Sequence, residues 1–216
     1  MKDKNLQANS FQNLKESFLC YKNNAGDISY VACFGKTFLD PQSQDYQNAK
    51  MISEFLVGKG LGVIHGGYSG IMEAASKGAQ KAIANDPDKN HYWNIGVPMK
   101  TFDQELARSA KINLPAAVDI SDRKKALIEF CDLCLVFAKG GVGTLLESIE
   151  IIHNNQIAQK FGGKIRPIIF FQGNWQNIMD NIYQNLDLNH QSRADQYVHF
   201  VNSVEELKSL LTKIKI

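Results

Sequence analysis

The chain is expected to adopt an α/β fold: a single doubly wound, mostly parallel sheet with helices on both faces. Three observations point there. Short continuous apolar runs, the pattern of strands buried on both faces, alternate with longer segments of helical periodicity. Two of those runs end in glycine clusters that lead directly into a helix, at Gly66-Gly67 and at Gly140-Gly141-Val142-Gly143. No repeat, low-complexity tract or linker divides the 216 residues. Residues 28–216 therefore read as one domain, and residues 1–27 as an N-terminal helical extension.

Each element has its own signal. Apolar residues at helical spacing (Leu6, Phe11, Leu14, Phe18, Leu19) mark a first helix over about 6–21, and Asn23 to Asp27 a turn. Ile28–Phe34 is a buried strand ending at Gly35, and a polar loop through Pro41 precedes a helix over about 45–59. Leu61–His65 is the next strand, followed by a glycine corner and a helix from Ile71. Tyr92–Val97 forms a third strand, Thr101–Ala110 a short helix or loop, and Ala116–Ile120 a brief strand before a helix over about 122–131. The central strand, Leu133–Ala138, breaks at the second glycine cluster into a long helix over about 144–159, stopped by Gly162-Gly163. Strand Pro167–Phe171, helix Trp175–Asn185, strand Tyr197–Val201 and a last helix from Ser203 follow. Glu206 stands three positions after Ser203, a capping-box spacing.

Composition excludes several classes. Twenty-four basic and 22 acidic residues leave a net charge of +2, with the cations scattered. No footprint for nucleic acid or an anionic membrane results. No apolar run approaches the ~20 residues of a membrane span. The polar N-terminus lacks the apolar core of a secretory leader, so the expected location is cytoplasmic. Cys131 and Cys134 spell C-x-x-C, but no second ligand pair accompanies them, and a metal site is not expected. Small buried thiols are the expectation for that pair.

The chemistry lies in the glycine corners. Glycines let the backbone turn and present its N–H groups, and a helix N-terminus adds unpaired N–H donors and a positive dipole end. Together they make an anion seat, most often for phosphate. A plainer alternative is that Thr144 and Glu147 only form a T-x-x-E capping box. Neither a P-loop nor a dinucleotide G-x-G-x-x-G fingerprint is present. In a doubly wound sheet both corners fall at the carboxyl ends of strands, where ligands bind.

The run Gly140-Gly141-Val142-Gly143-Thr144-Leu145-Leu146-Glu147 resembles the P-G-G-x-G-T-x-x-E motif of the Lonely Guy family, long misnamed "lysine decarboxylase-like". Gly66-Gly67-Tyr68-Ser69-Gly70-Ile71-Met72-Glu73-Ala74 resembles that family's G-G-G-x-G-x-M-E-A corner. Arg123-Lys124 stands where the family has its R-K pair, and Glu105 where many members carry a substrate-contacting glutamate. The likeness runs from about Tyr30 to Asn185. It implies a Rossmann-like fold and a phosphoribohydrolase that cuts the N-glycosidic bond of a nucleoside 5′-monophosphate, AMP or a cytokinin riboside monophosphate. Free base and ribose 5-phosphate would be the products. It further implies a homodimer that needs no metal or redox cofactor.

Carried over by position, Gly140, Gly141, Gly143 and Thr144 would hold phosphate, and Gly66 and Gly67 would border the same crevice. Arg123 and Glu147 would be the catalytic pair, and Lys124 and Glu105 would line the nucleotide site. Lys139 replaces the motif's proline, which leaves the loop looser or adds a cation for the ligand. Tyr68 and Ser69 also depart from the pattern, and the tyrosine is expected to narrow the pocket. His65 is either a ligand contact or a hydrogen-bonded structural residue. A non-catalytic binder or carrier of a phosphate-bearing cofactor is the competing function. A literal decarboxylase would need a pyridoxal lysine that no signature singles out.

Overall fold

The computed structural model describes residues 10–102, 106–186 and 194–214. Seven parallel strands form one sheet: β1 (Tyr30–Phe34), β2 (Gly62–His65), β3 (Asn94–Gly96), β4 (Ile112–Asn113), β5 (Leu133–Phe137), β6 (Ile168–Phe171) and β7 (Val198–Val201). Their order is β4-β3-β2-β1-β5-β6-β7, every neighbouring pair parallel. The chain winds outward from β1 to β4, then returns to β5 on the other side of β1. The strand order reverses between β1 and β5, and the loops leaving these two strands diverge there to open a crevice.

Helices α1 (Ser10–Ala25), α2 (Gln44–Gly58), α3 (Ile71–Ala84), α4 (Ile120–Glu129), α5 (Val142–Phe161), α6 (Trp175–Asn185) and α7 (Val204–Leu211) cover both faces. Alternation along β1 sorts the core. Tyr30, Ala32 and Phe34 face α1, α4, α5 and α6, while Val31 and Cys33 face α2, α3 and α7. β1, β2, β5 and β6 are buried along their whole length, as two-sided burial requires. The first helix joins the core: Phe18 stacks on Phe130 at 4.4 Å and meets Tyr30 edge-on at 5.3 Å. It is described over Ser10–Ala25, so the expected turn at Asn23 is still helical, and the chain reverses at Gly26, φ +90°. Residues 6–9 lie outside the described residues.

Local chemistry sets the helix ends. Ser43, Asp119 and Ser203 each accept a backbone N–H three residues on. Glu206 completes the last cap by accepting from the Asn202 amide at 2.7 Å. Gly162, φ +82°, ends α5. The strand expected at Ala116–Ile120 does not form. β4 is instead the two-residue Ile112–Asn113, and only a single Met99–Ala117 bridge continues it. Asp119 caps α4 there and draws Ile120 into the helix.

Among the described residues no helix is long and apolar enough to cross a membrane. Cys33, Cys131 and Cys134 are buried thiols, and Cys20 is exposed. The sulfurs of Cys131 and Cys134 lie 3.4 Å apart.

Candidate functional site

The crevice at the β1/β5 divergence is a cavity of about 690 Å³, within the range of small-molecule sites. Three walls meet in it. The β5–α5 corner supplies Gly141, Gly143, Thr144 and Glu147. The β2–α3 corner supplies Gly66, Tyr68 and Met72, with Arg123 rising from α4. The loop after β1 supplies Gly35, Lys36, Thr37 and Phe38.

The β5–α5 corner presents open backbone donors of the kind an anion seat needs. α5 starts at Val142, two residues before the expected Thr144, and its N-cap is Gly141, which offers no side chain. The capping box of Thr144 and Glu147 is therefore absent, because both already lie within the helix. The first helical bond runs from the Leu145 amide to the Gly141 carbonyl at 3.0 Å. The N–H groups of Val142, Gly143 and Thr144 precede it and have no acceptor in the helix. A Cβ placed on Gly141 or Gly143 would meet nothing within 4 Å. The space above these two residues is thus open among the described residues.

Gly140 does something else. A Cβ there would fall 2.6 Å from the Thr144 Cβ and 2.7 Å from Trp175, so its bareness serves packing. Lys139 adopts φ +59°, a conformation proline's ring forbids. Its ammonium pairs with Asp45 of α2 at 3.1 Å. The added cation thus meets a protein carboxylate and is not among the described residues that line the cavity.

Arg123 is 7% exposed and rigidly held. Its Nε donates to the Val97 carbonyl and its Nη2 to the Gly66 carbonyl, each at 2.9 Å. Its guanidinium lies 5.7 Å from the Tyr68 ring and 5.6 Å from that of Phe102. Gly66 must be glycine, since a Cβ would collide with Nη2 and come 2.6 Å from the Met72 sulfur. Nη1 makes no hydrogen bond among the described residues. Burial lowers the pKa of Arg123 and the Glu147 charge raises it, yet an arginine stays a cation throughout.

Glu147 is half-buried one helical turn beyond the glycines and accepts no hydrogen bond among the described residues. Burial pushes its carboxyl up to about 7, against the pull of Arg123 and Lys124, with Glu150 adding to the rise. A carboxyl so poised exchanges protons near neutral pH and faces open space.

Other expected residues fall elsewhere. Gly67, Gly140 and Lys124 are not among the described residues that line the cavity. Gly67 shapes its corner at φ +84° and accepts from the Ala107 amide at 2.8 Å. Lys124 pairs with Glu150 of α5. Glu105 lies outside the described residues. His65 is structural: its Nδ1 accepts from the Gly67 amide at 3.0 Å, which puts the proton on Nε2, 3.1 Å from the Asn94 oxygen. Burial pulls it down to about 4, so it stays neutral. Tyr68 does line the cavity, its hydroxyl accepting from the Met99 amide and donating to the Met99 carbonyl.

The whole third wall was missed from the sequence. Lys36 there is exposed and makes no ion pair among the described residues. Its one available signal was Gly35, at the end of the strand beside the order reversal.

Fold and site together define a doubly wound α/β protein with a small-molecule-sized cavity, edged by a glycine-rich helix start, at the switch point. Residues 29–206 match the SLOG cluster4 family, so the chain belongs to that family, within the LOG-like and DprA-like SLOG superfamily. That affiliation is broader than the Lonely Guy family alone. No curated protein matches the chain. Among solved structures, the molybdenum cofactor binding protein of Rippkaea orientalis is similar at 21% identity and TM-score 0.63, over 86% of this chain and 96% of that one. The molybdenum cofactor carrier protein of Chlamydomonas reinhardtii gives 17% and 0.61, over 86% and 97%. DNA processing protein A of Helicobacter pylori, described with a single-stranded DNA binding mode, gives 14% and 0.51, over 87% and 82%. At these identities the likeness is one of fold.

Proposed function

We propose that the chain hydrolyses the N-glycosidic bond of a nucleoside 5′-monophosphate, AMP or a cytokinin riboside monophosphate, to free base and ribose 5-phosphate. The observation that carries this is Glu147: an unbonded carboxyl titrating near 7 in the same cavity as an open glycine phosphate seat. A passive seat needs the glycines and has no use for that group. Phosphate docks on the amides of Val142, Gly143 and Thr144 and places the ribose over the first turn of α5. As the bond from C1′ to the base nitrogen lengthens, positive charge builds on the sugar. Ionised Glu147 stabilises it and orients a water whose oxygen bonds to C1′. The departing base takes the electron pair of the broken bond and the proton that the attacking water gives up. Arg123, through Nη1, which has no partner among the described residues, offsets negative charge on the phosphate or the base.

The exposed stripe Val142, Leu146, Ile149, Ile157 and Phe161 along α5 supports a homodimer packed on that helix. The scattered cations support a small-molecule ligand over a nucleic acid.

A second reading is a holder of a phosphate-bearing cofactor, supported by the two carbonyls that lock Arg123 as a fixed cation. Incubation of the purified protein with a panel of nucleoside monophosphates separates the two. Release of free base supports the hydrolase, and tight binding without any base released replaces it with the holder.

A further inference from the structure

The loop after β1 is anchored on both sides of the pair Thr37-Phe38. Before it, the Lys36 carbonyl accepts from the Ile71 amide at 3.0 Å. After it, Leu39 packs against the core under α2, and Asp40 closes a turn, its carbonyl accepting from the Ser43 amide at 2.9 Å and its carboxylate from the Gln42 amide at 2.9 Å. Between these anchors Phe38 takes φ +56°, the left-handed region in which a bulky side chain is an outlier.

Burial does not compensate for this. The ring is 70% exposed, lines the cavity, and has no ring or cation partner among the described residues. Phe102, the other aromatic at the rim, differs in being only 37% exposed and set against Tyr68 at 5.5 Å. The strain disfavours folding and the exposed ring offers no burial to offset it, so glycine or asparagine would suit the position better. Such strain gathers at ligand sites. The two anchors also mean the ring is presented by a fixed backbone, so little order is lost when a partner lands on it.

We propose that Phe38 is the stacking platform for the planar heterocycle of the ligand, an assignment that rests on the nucleotide reading above. The substrate class follows: a flat aromatic base carried by a phosphorylated sugar. Stacking on a π-face tolerates any base, so Phe38 favours an aromatic aglycone without choosing among its exocyclic groups.

The test is calorimetric titration of the purified chain with two probes. One is formycin 5′-monophosphate, a C-nucleoside analogue of AMP with no hydrolysable N-glycosidic bond. The other is ribose 5-phosphate. The expected result is that wild type binds the analogue more tightly than ribose 5-phosphate. Phe38→Gly weakens the analogue about tenfold, as loss of one base stack implies, and leaves ribose 5-phosphate within about twofold. Phe38→Tyr retains the analogue, and Phe38→Gly melts no lower than wild type because glycine accepts the positive φ. Unchanged analogue affinity, or equal losses for both probes, would overturn the platform. So would a wild type that binds both probes alike, although the phosphate seat would survive. A wild type that binds neither probe overturns the nucleotide reading itself.

Discussion

Glu147→Gln tests whether the site holds a carboxyl at a cost to the fold. This group titrates near 4.5 when unperturbed and at about 7 in the folded chain, chiefly because burial disfavours its charge. A raised carboxyl pKa means that the folded state binds the proton more tightly than the unfolded one. Stability is then lost as pH rises between those two values, and the full penalty is present above 7. At ~1.4 kcal/mol per pH unit the upper bound is about 3 kcal/mol. Glu147 is half-buried, so solvent reduces this to about 1–2 kcal/mol. Glutamine keeps the shape and removes the charge. In urea unfolding at pH 5 the two proteins should differ by less than about 0.5 kcal/mol. At pH 8 the variant should be the more stable by about 1–2 kcal/mol. A difference independent of pH, or one that favours wild type at pH 8, would refute the assignment. The same change should lower base release ~10²–10³-fold, and wild-type activity should fall as pH drops below about 7, where the carboxyl protonates.

Three further outcomes follow from the packing. Gly143→Ala should leave stability equal or raise it by about 0.5–1 kcal/mol, since a helical glycine gains a Cβ in open space. It should nonetheless weaken binding of inorganic phosphate at least severalfold in a competition assay. On the homodimer proposed above, Ile149→Glu with Ile157→Glu should halve the mass measured by light scattering, from twice 24.2 kDa to a single chain, with helical content kept. Phe18→Ala should cost about 3–4 kcal/mol in denaturant unfolding, because the ring is buried between Phe130 and Tyr30.

How legible the fold was depended on the length and position of each signal. The apolar runs of β1, β5 and β6, short and bounded by glycine or proline, read as buried strands and are so, and both glycine corners border the crevice. Ala116–Ile120 misled because its residues are apolar while Asp119 is an N-cap, and a cap acts through one side-chain oxygen that hydropathy does not register. Thr144 and Glu147 imitate a capping box, yet bare Gly141 begins the helix two residues earlier. In the site, Arg123 and Glu147 came together as expected, whereas Lys124 turned to Glu150 on the neighbouring helix. Lys139 read as either a looser loop or a cation for the ligand, but its αL backbone and its pairing with Asp45 are tertiary facts. The loop from Gly35 to Phe38 carried no motif at all. It belongs to the site because β1 happens to border β5, and strand order is what a linear pattern conceals.

A crystal of the protein with formycin 5′-monophosphate bound is the most direct measurement of the central claim. The phosphate oxygens should lie within hydrogen-bond reach of the Gly143 and Thr144 amides, with a Glu147 oxygen about 3–3.5 Å from the anomeric carbon or the water beside it. A phosphate seated elsewhere, or a Glu147 carboxyl turned from the sugar and bonded to protein, would contradict it.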